Sequence, residues 1–156
     1  MYVDSAILVK LVVREPDSVF YVKLLDGARG LSSSDLAVTE CRSVLERKRQ
    51  QGELDAATCE GAWQRLGAFW QRGGGLALHP VTRRVLDEAG ALIAEGIAVA
   101  PLRTLDAIHL ATCRLQGAPQ LVTNDRVMRQ AARSLGIPLS SLPAEHHADS
   151  HGHFRG

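Results

Sequence analysis

LRTLDAIHLATCRLQGAPQLVTNDRVMRQAARSLGI, residues 102–137, carries the alternation that decides the fold. Thr104 is placed to cap a helix that runs to Leu115 and is apolar nearly all round. Leu121 and Val122 form a short apolar strand, Arg126 to Leu135 a second helix, and Ile137 to Leu139 a last short strand. A helix without a polar face is a buried one, and short apolar strands alternating with helices belong to a parallel sheet covered on both sides.

The same alternation extends outward to the N-terminus. Met1 to Val3 is a short buried strand that stops at Asp4, and Ser5 can cap a helix over residues 5 to 14, which Pro16 ends. A second helix covers about 18 to 27, and Leu31 and Ser32 begin the next strand. Ser33, Ser34 and Asp35 offer N-caps for a helix with Leu36, Ala37, Cys41, Val44 and Leu45 on its apolar stripe; Arg47, Lys48 and Arg49 complement its C-terminus, and Gly52 closes it. Residues 53 to 72 are again helical, giving a helical hairpin, and Gly73 to Gly75 break the chain. Leu76 to Val81, with Pro80 inside, reads as an edge strand, and Thr82 caps a helix striped by Val85, Leu86, Ala89, Leu92 and Ile93. The expected architecture is α/β: a parallel sheet of four to five short strands in a three-layer α/β/α arrangement, one domain over residues 1–143. The histidine-rich tail, 144–156, is expected to be disordered.

Composition narrows the class. The 156 residues carry 18 basic and 17 acidic side chains, and a chain of this length buries a core without help from disulfides or a structural metal. Cys41, Cys59 and Cys113 are odd in number and form no CxxC pair, which points to a reducing compartment and away from a zinc site. No apolar run reaches the roughly 20 residues of a membrane span, and no signal peptide opens the chain, so a cytoplasmic protein is expected.

Four acids stand in unusual places. Asp4 and Asp125 follow apolar strands closely, where the crevice of an open α/β sheet lies. Glu40 lies on the inward stripe of its helix, and Asp106 on the apolar helix just described. Buried carboxylates without partners are costly, and two meeting at 4 Å repel by about 4 kcal/mol at an effective dielectric near 20. A divalent cation offsets that repulsion. An all-oxygen set selects Mg²⁺ or Mn²⁺ over zinc, and such ions suit phosphodiester hydrolysis by water. Taken singly, the acids have plainer readings: Asp4 and Asp125 as helix N-terminal acids, Asp106 as a first-turn acid, Glu40 as the partner of Arg42 or Arg103. Their coincidence is harder to explain that way.

Four segments carry a resemblance: DSAILVKL from residue 4, LAVTECRSVLERKR around Glu40, LRTLDAIHLATCRLQGA around Asp106 and LVTNDRVMRQAARSLGI around Asp125. Together they resemble PIN-domain ribonucleases of the VapC toxin type over residues 1–143. The resemblance implies a metal-dependent endoribonuclease acting on RNA and blocked by a VapB-type antitoxin, with Asp4 and Asp106 as principal metal ligands. It implies that Glu40 and Asp125 bind a second ion or act through water, and that Ser5 and Thr123 hydrogen-bond the acids. Ala6 departs from the pattern, because many members have a second hydroxyl there.

With the four acids neutralised, 13 acids remain against 18 bases, a balance of +5, and Arg103, Arg114, Arg126, Arg129 and Arg133 flank the cleft in sequence. Arg103, Arg126 and Arg129 are therefore candidates for holding the RNA backbone. His109 reads as a packed core residue rather than a ligand. Trp63 and Trp70 share a helix face that suits the core, a homodimer interface or the antitoxin. Gly73 to Gly75 lack the Lys and hydroxyl residue of a phosphate loop, and no GxSxG is present. Two rivals remain: a catalytically silent PIN-like module that only binds partners, and a phosphoaspartyl domain using Asp4, which Ala6 argues against.

Overall fold

The computed structural model describes residues 1–96 and 101–143; the expectation for the tail lies outside the described residues. Among these, four strands and seven helices alternate. The strands are β1 (Tyr2–Val3), β2 (Leu31–Ser34), β3 (Leu76–His79) and β4 (Leu121–Val122), all parallel, in the order β3-β2-β1-β4. The helices are α1 (Ser5–Lys10), α2 (Ser18–Leu25), α3 (Leu36–Gln50), α4 (Ala56–Trp70), α5 (Arg83–Gly96), α6 (Thr104–Leu115) and α7 (Arg126–Ser134).

The pleat of the paired strands β1 and β4 builds the two cores. Successive side chains point to opposite faces, so Tyr2 and Leu121 enter one apolar cluster with Leu92, Leu110 and Met128, from α5, α6 and α7. Val3 and Val122 enter the other, with Ile7, Leu8, Cys41, Leu45 and Leu66 from α1, α3 and α4. This is the expected three-layer arrangement. All three cysteines are free and buried, and burial pushes the Cys41 and Cys113 thiols up to about 12, leaving them unreactive.

The chain runs β1, β2, β3 toward one edge and then returns to place β4 on the other side of β1. The strand order therefore reverses between β1 and β4, and the crevice outside their carboxyl ends is where an α/β sheet places its ligands.

Several boundaries differ from the sequence expectation for local reasons. The first helix stops at Lys10, because Val12 N–H turns back to the Val9 carbonyl (3.0 Å) and tightens the chain into a turn. The Asp55 side chain accepts from Thr58 N–H (2.6 Å) and starts α4 at Ala56, not at residue 53. Thr104 is the first residue of α6 and Arg103 its cap residue. Pro80 ends β3 at His79. Ile137 to Leu139 supplies only an isolated bridge, Leu121 to Leu139, with Pro138 between its two apolar residues. Leu86, assigned to the apolar stripe of α5, is 46% exposed.

Candidate active site

Asp4 leaves the end of β1 with its N–H bonded to the Val122 carbonyl (3.1 Å), so the strand pairing itself fixes its backbone. Its side chain is buried at 4% exposure. Thr123 Oγ1 donates to Oδ2 (2.8 Å) and Ser5 Oγ to Oδ1 (3.3 Å), the two hydroxyls for which the family resemblance implies bonds to the acids. Thr123 Oγ1 also accepts from the Asp125 N–H (3.1 Å), so one hydroxyl links the acids that follow β1 and β4. Asp125 is exposed and caps α7, one oxygen accepting from Met128 N–H (2.7 Å).

Asp106 sits in the first turn of α6, half-buried. Burial, then the charges of Asp125 and Asp4, push its carboxyl above the ordinary value, against weaker opposing pulls from His109 and Arg103. Glu40 reaches the cleft from the second turn of α3, and its expected partners, Arg42 and Arg103, are not the ones it takes. His109 Nε2 lies 2.6 Å from Glu40 Oε2. Burial pushes the Glu40 carboxyl up, but the His109 bond and charge together with the Ser5 hydroxyl outweigh it, and the net shift is downward.

All four acids line one cleft of about 490 Å³, together with Ser5, Ala6, Asn124, Arg126 and Met128. The four residues, two from just past the ends of β1 and β4, one from the first turn of α6 and one from the second turn of α3, do converge. An apolar cavity of about 320 Å³ between α2, the α4 end and β3 contains a single acid, Asp26, and no converging polar set.

The donor set fits a divalent cation of the hard type: carboxylate oxygens only, with a repulsion visible at Asp106. Among the described residues no three His, Cys, Asp or Glu side chains stand close enough to cage an ion alone.

The arginines divide. Arg126 is exposed and lines the cleft, and Arg103 is exposed beside Asp106. Arg129, expected to hold phosphate, is buried at 6% exposure and spends its guanidinium on the Thr123 carbonyl (2.8 Å) and the Ser140 carbonyl (2.9 Å). It fixes the loop that carries Thr123 instead. Arg114 pairs with Glu88 at 3.4 Å, on the α5 side. The residue the sequence undervalued is His109. It is packed, as expected, at 1% exposure, yet both ring nitrogens are engaged, Nδ1 with the Tyr2 hydroxyl at 2.7 Å. Its spacing of three from Asp106, one helical turn, was the available signal.

A PIN-domain family model matches residues 1–134. Ribonuclease VapC46 of Mycobacterium tuberculosis (strain ATCC 25618 / H37Rv) is 39% identical over 141 residues, covering 89% of this chain and 95% of that one. Among solved structures, the sarcin–ricin loop cleaving toxin VapC20 of Mycobacterium tuberculosis superposes with a TM-score of 0.66 at 15% identity, over 83% of this chain and 93% of that one. A chain of VapBC2 from Rickettsia felis, solved bound to a fragment of its promoter DNA, gives 0.63 at 16% identity, over 89% and 96%. With the acids following β1 and β4, the parallel order β3-β2-β1-β4 and this match over most of its length, the chain belongs to the PIN-domain family, among the VapC ribonucleases.

Proposed function

We propose that this chain is the toxin of a toxin–antitoxin pair, an endoribonuclease that hydrolyses RNA phosphodiesters with Mg²⁺ or Mn²⁺ and is held in check by a VapB-type antitoxin. The observation that carries the reading is the convergence of Asp4, Glu40, Asp106 and Asp125 on one cleft at the carboxyl end of the sheet. Kinship with ribonucleases VapC and the fold shared with VapBC2 support the reaction class and the partner.

Asp4 and Asp106 would hold the principal ion, with Glu40 and Asp125 holding a second or acting through water. Bound there, a divalent ion supplies Lewis-acid charge that activates water and offsets charge on the leaving oxygen. The protein's part is preorganisation. Thr123 and Ser5 fix both oxygens of Asp4, so this carboxylate needs no reorientation when substrate arrives. Glu40, held ionised below the ordinary carboxylate range, presents an acceptor to the attacking water. Arg126 at the rim suits an RNA phosphate. Attack by the water oxygen on phosphorus breaks the bond to the ribose 3′-oxygen, which leaves and takes up a proton. No covalent intermediate forms.

The test is cleavage of total RNA by purified protein, with and without Mn²⁺ and then chelator, with the cut ends mapped. Asp4→Asn should abolish cleavage while the protein stays folded. Full activity in that variant would reject the assignment, and a wild type that neither cleaves nor shifts its melting temperature with Mn²⁺ would leave a partner-binding module.

A further inference from the structure

A polar chain crosses the interior beneath the cleft. The Tyr2 hydroxyl lies 2.7 Å from His109 Nδ1, and His109 Nε2 lies 2.6 Å from Glu40 Oε2. Tyr2 is fully buried and His109 nearly so, and the tyrosine ring meets the imidazole edge-on at 5.9 Å. The direction of the outer bond is fixed by chemistry. A carboxylate only accepts, so Nε2 carries a hydrogen and donates it to Glu40. At the inner end the tyrosine hydroxyl can donate to a neutral ring or accept from a charged one, and either way it holds the imidazole plane.

The three residues belong to three of the elements that build the cleft. Tyr2 lies on β1 two residues before Asp4, His109 on α6 one turn after Asp106, and Glu40 on α3. The chain therefore ties the α3 carboxylate to the strand and the helix that carry Asp4 and Asp106. Asp4 and Asp125 are fixed by hydroxyls and backbone N–H groups near them in space; the side chain of Glu40 hangs from a separate helix, meets the Ser5 hydroxyl and lies 2.6 Å from His109 Nε2, the partner that ties it to α6.

We infer that His109, anchored by Tyr2, is a positioning residue that holds Glu40 in register with Asp4 and Asp106 and thereby sets how tightly the cleft binds a divalent cation. The inference rests on the proposed function, since it needs Glu40 to face the ion or its water.

The experiment measures Mn²⁺ affinity by electron paramagnetic resonance of the free ion, without RNA, and then kcat and KM on an RNA oligonucleotide. His109→Leu should weaken Mn²⁺ binding about 10- to 100-fold and lower kcat similarly, the range seen when a group orienting a metal ligand is removed, with KM within about twofold. His109→Gln, whose amide can still donate to Glu40, should recover most of the loss. Combined with Glu40→Gln, His109→Leu should add nothing further, as expected when one residue acts through the other. Wild-type Mn²⁺ affinity in His109→Leu, with Glu40→Gln impaired, would overturn this inference alone. So would a loss that persists in full in the Glu40→Gln background, which would make His109 a packing residue only. A wild-type protein that binds no Mn²⁺ and cuts no RNA would overturn the proposed function first. If His109→Leu does not fold by circular dichroism, His109→Gln and Tyr2→Phe decide: the first should keep near-normal Mn²⁺ affinity and the second should lose about threefold, one hydrogen bond's worth. Unchanged affinity in Tyr2→Phe, or a loss in His109→Gln as large as in Glu40→Gln, would overturn the inference.

Discussion

Asp106 is the carboxylate whose surroundings least favour its charge. Its pKa is raised in the folded protein, so the native state holds that proton more tightly than the unfolded chain does. The stability it contributes is present below the ordinary aspartate pKa and is lost as pH rises through the raised value. At pH 7 without a divalent ion, ionised Asp106 is a net cost. Asp106→Asn should therefore raise the melting temperature in metal-free buffer; solvent screening at this half-buried position limits the gain to about 1 kcal/mol, roughly 2–4 °C at this chain length. Mn²⁺ should then stabilise the wild type more than the variant, and scanning calorimetry in both buffers checks both points. Glu40 has the opposite sign: its pKa is held down, so its contribution is present above the ordinary glutamate pKa and fades as pH falls through the lowered one. The arginines are separable in the same way. Arg126→Ala should weaken RNA binding and reduce the slope of log affinity against log salt by about 0.7, one single-strand phosphate contact. Arg129→Ala should instead cost about 1–3 kcal/mol in urea unfolding, because two buried carbonyls lose their donor. That distinction was not legible in the sequence, where both arginines sit near Asp125; only the third dimension turns Arg129 back toward Thr123 and Ser140.

Among the elements, the α4 to β3 connection shows what a glycine run does here. Gly73 and Gly75 hold φ of +90° and +88°, a region that side chains avoid, while Gly74 is excluded from change by space. A Cβ at Gly74 would meet the Ala68 carbonyl oxygen at 1.9 Å and the Phe69 carbonyl oxygen at 2.4 Å, both backbone. Gly74→Ala should cost about 1–3 kcal/mol or more, read as a lowered midpoint in urea with an unchanged slope. The turn itself was legible, since three glycines suit no other role without a following lysine. The end of α1 and the start of α4 were not, because each is set by a local bond, Val12 N–H to the Val9 carbonyl and Thr58 N–H to Asp55, that an apolar stripe does not mark. A part-buried ion-pair cluster is a further case: Lys10 bonds Glu15 and Asp17 (the latter at 2.7 Å), and Lys48 reaches Glu15 at 3.1 Å from α3. Nothing in the spacing of residues 10 and 48 announces that meeting.

For the whole molecule, the alternation of short strands and helices was enough to specify a parallel sheet with helices on both faces, and the position of Asp4 and Asp125 just past strand ends placed them at one edge. The sequence pattern could not supply the order β3-β2-β1-β4, which depends on a return across the sheet that no local residue encodes. Nor could it pair Glu40 with His109, whose side chains lie 69 residues apart along the chain. No helix among the described residues is long and apolar enough to cross a membrane.

The two-residue strands β1 and β4, paired at one side of the sheet, carry a last consequence. The amide of Asp4 is bonded to Val122 across the β1–β4 pair, with an apolar cluster on either face. Exchange at that nitrogen requires the bond between two packed layers to open, so it should be slower than within the surface helix α2, measured by NMR. Faster exchange there than within α2 would mean that the reactive edge loosens independently of its scaffold.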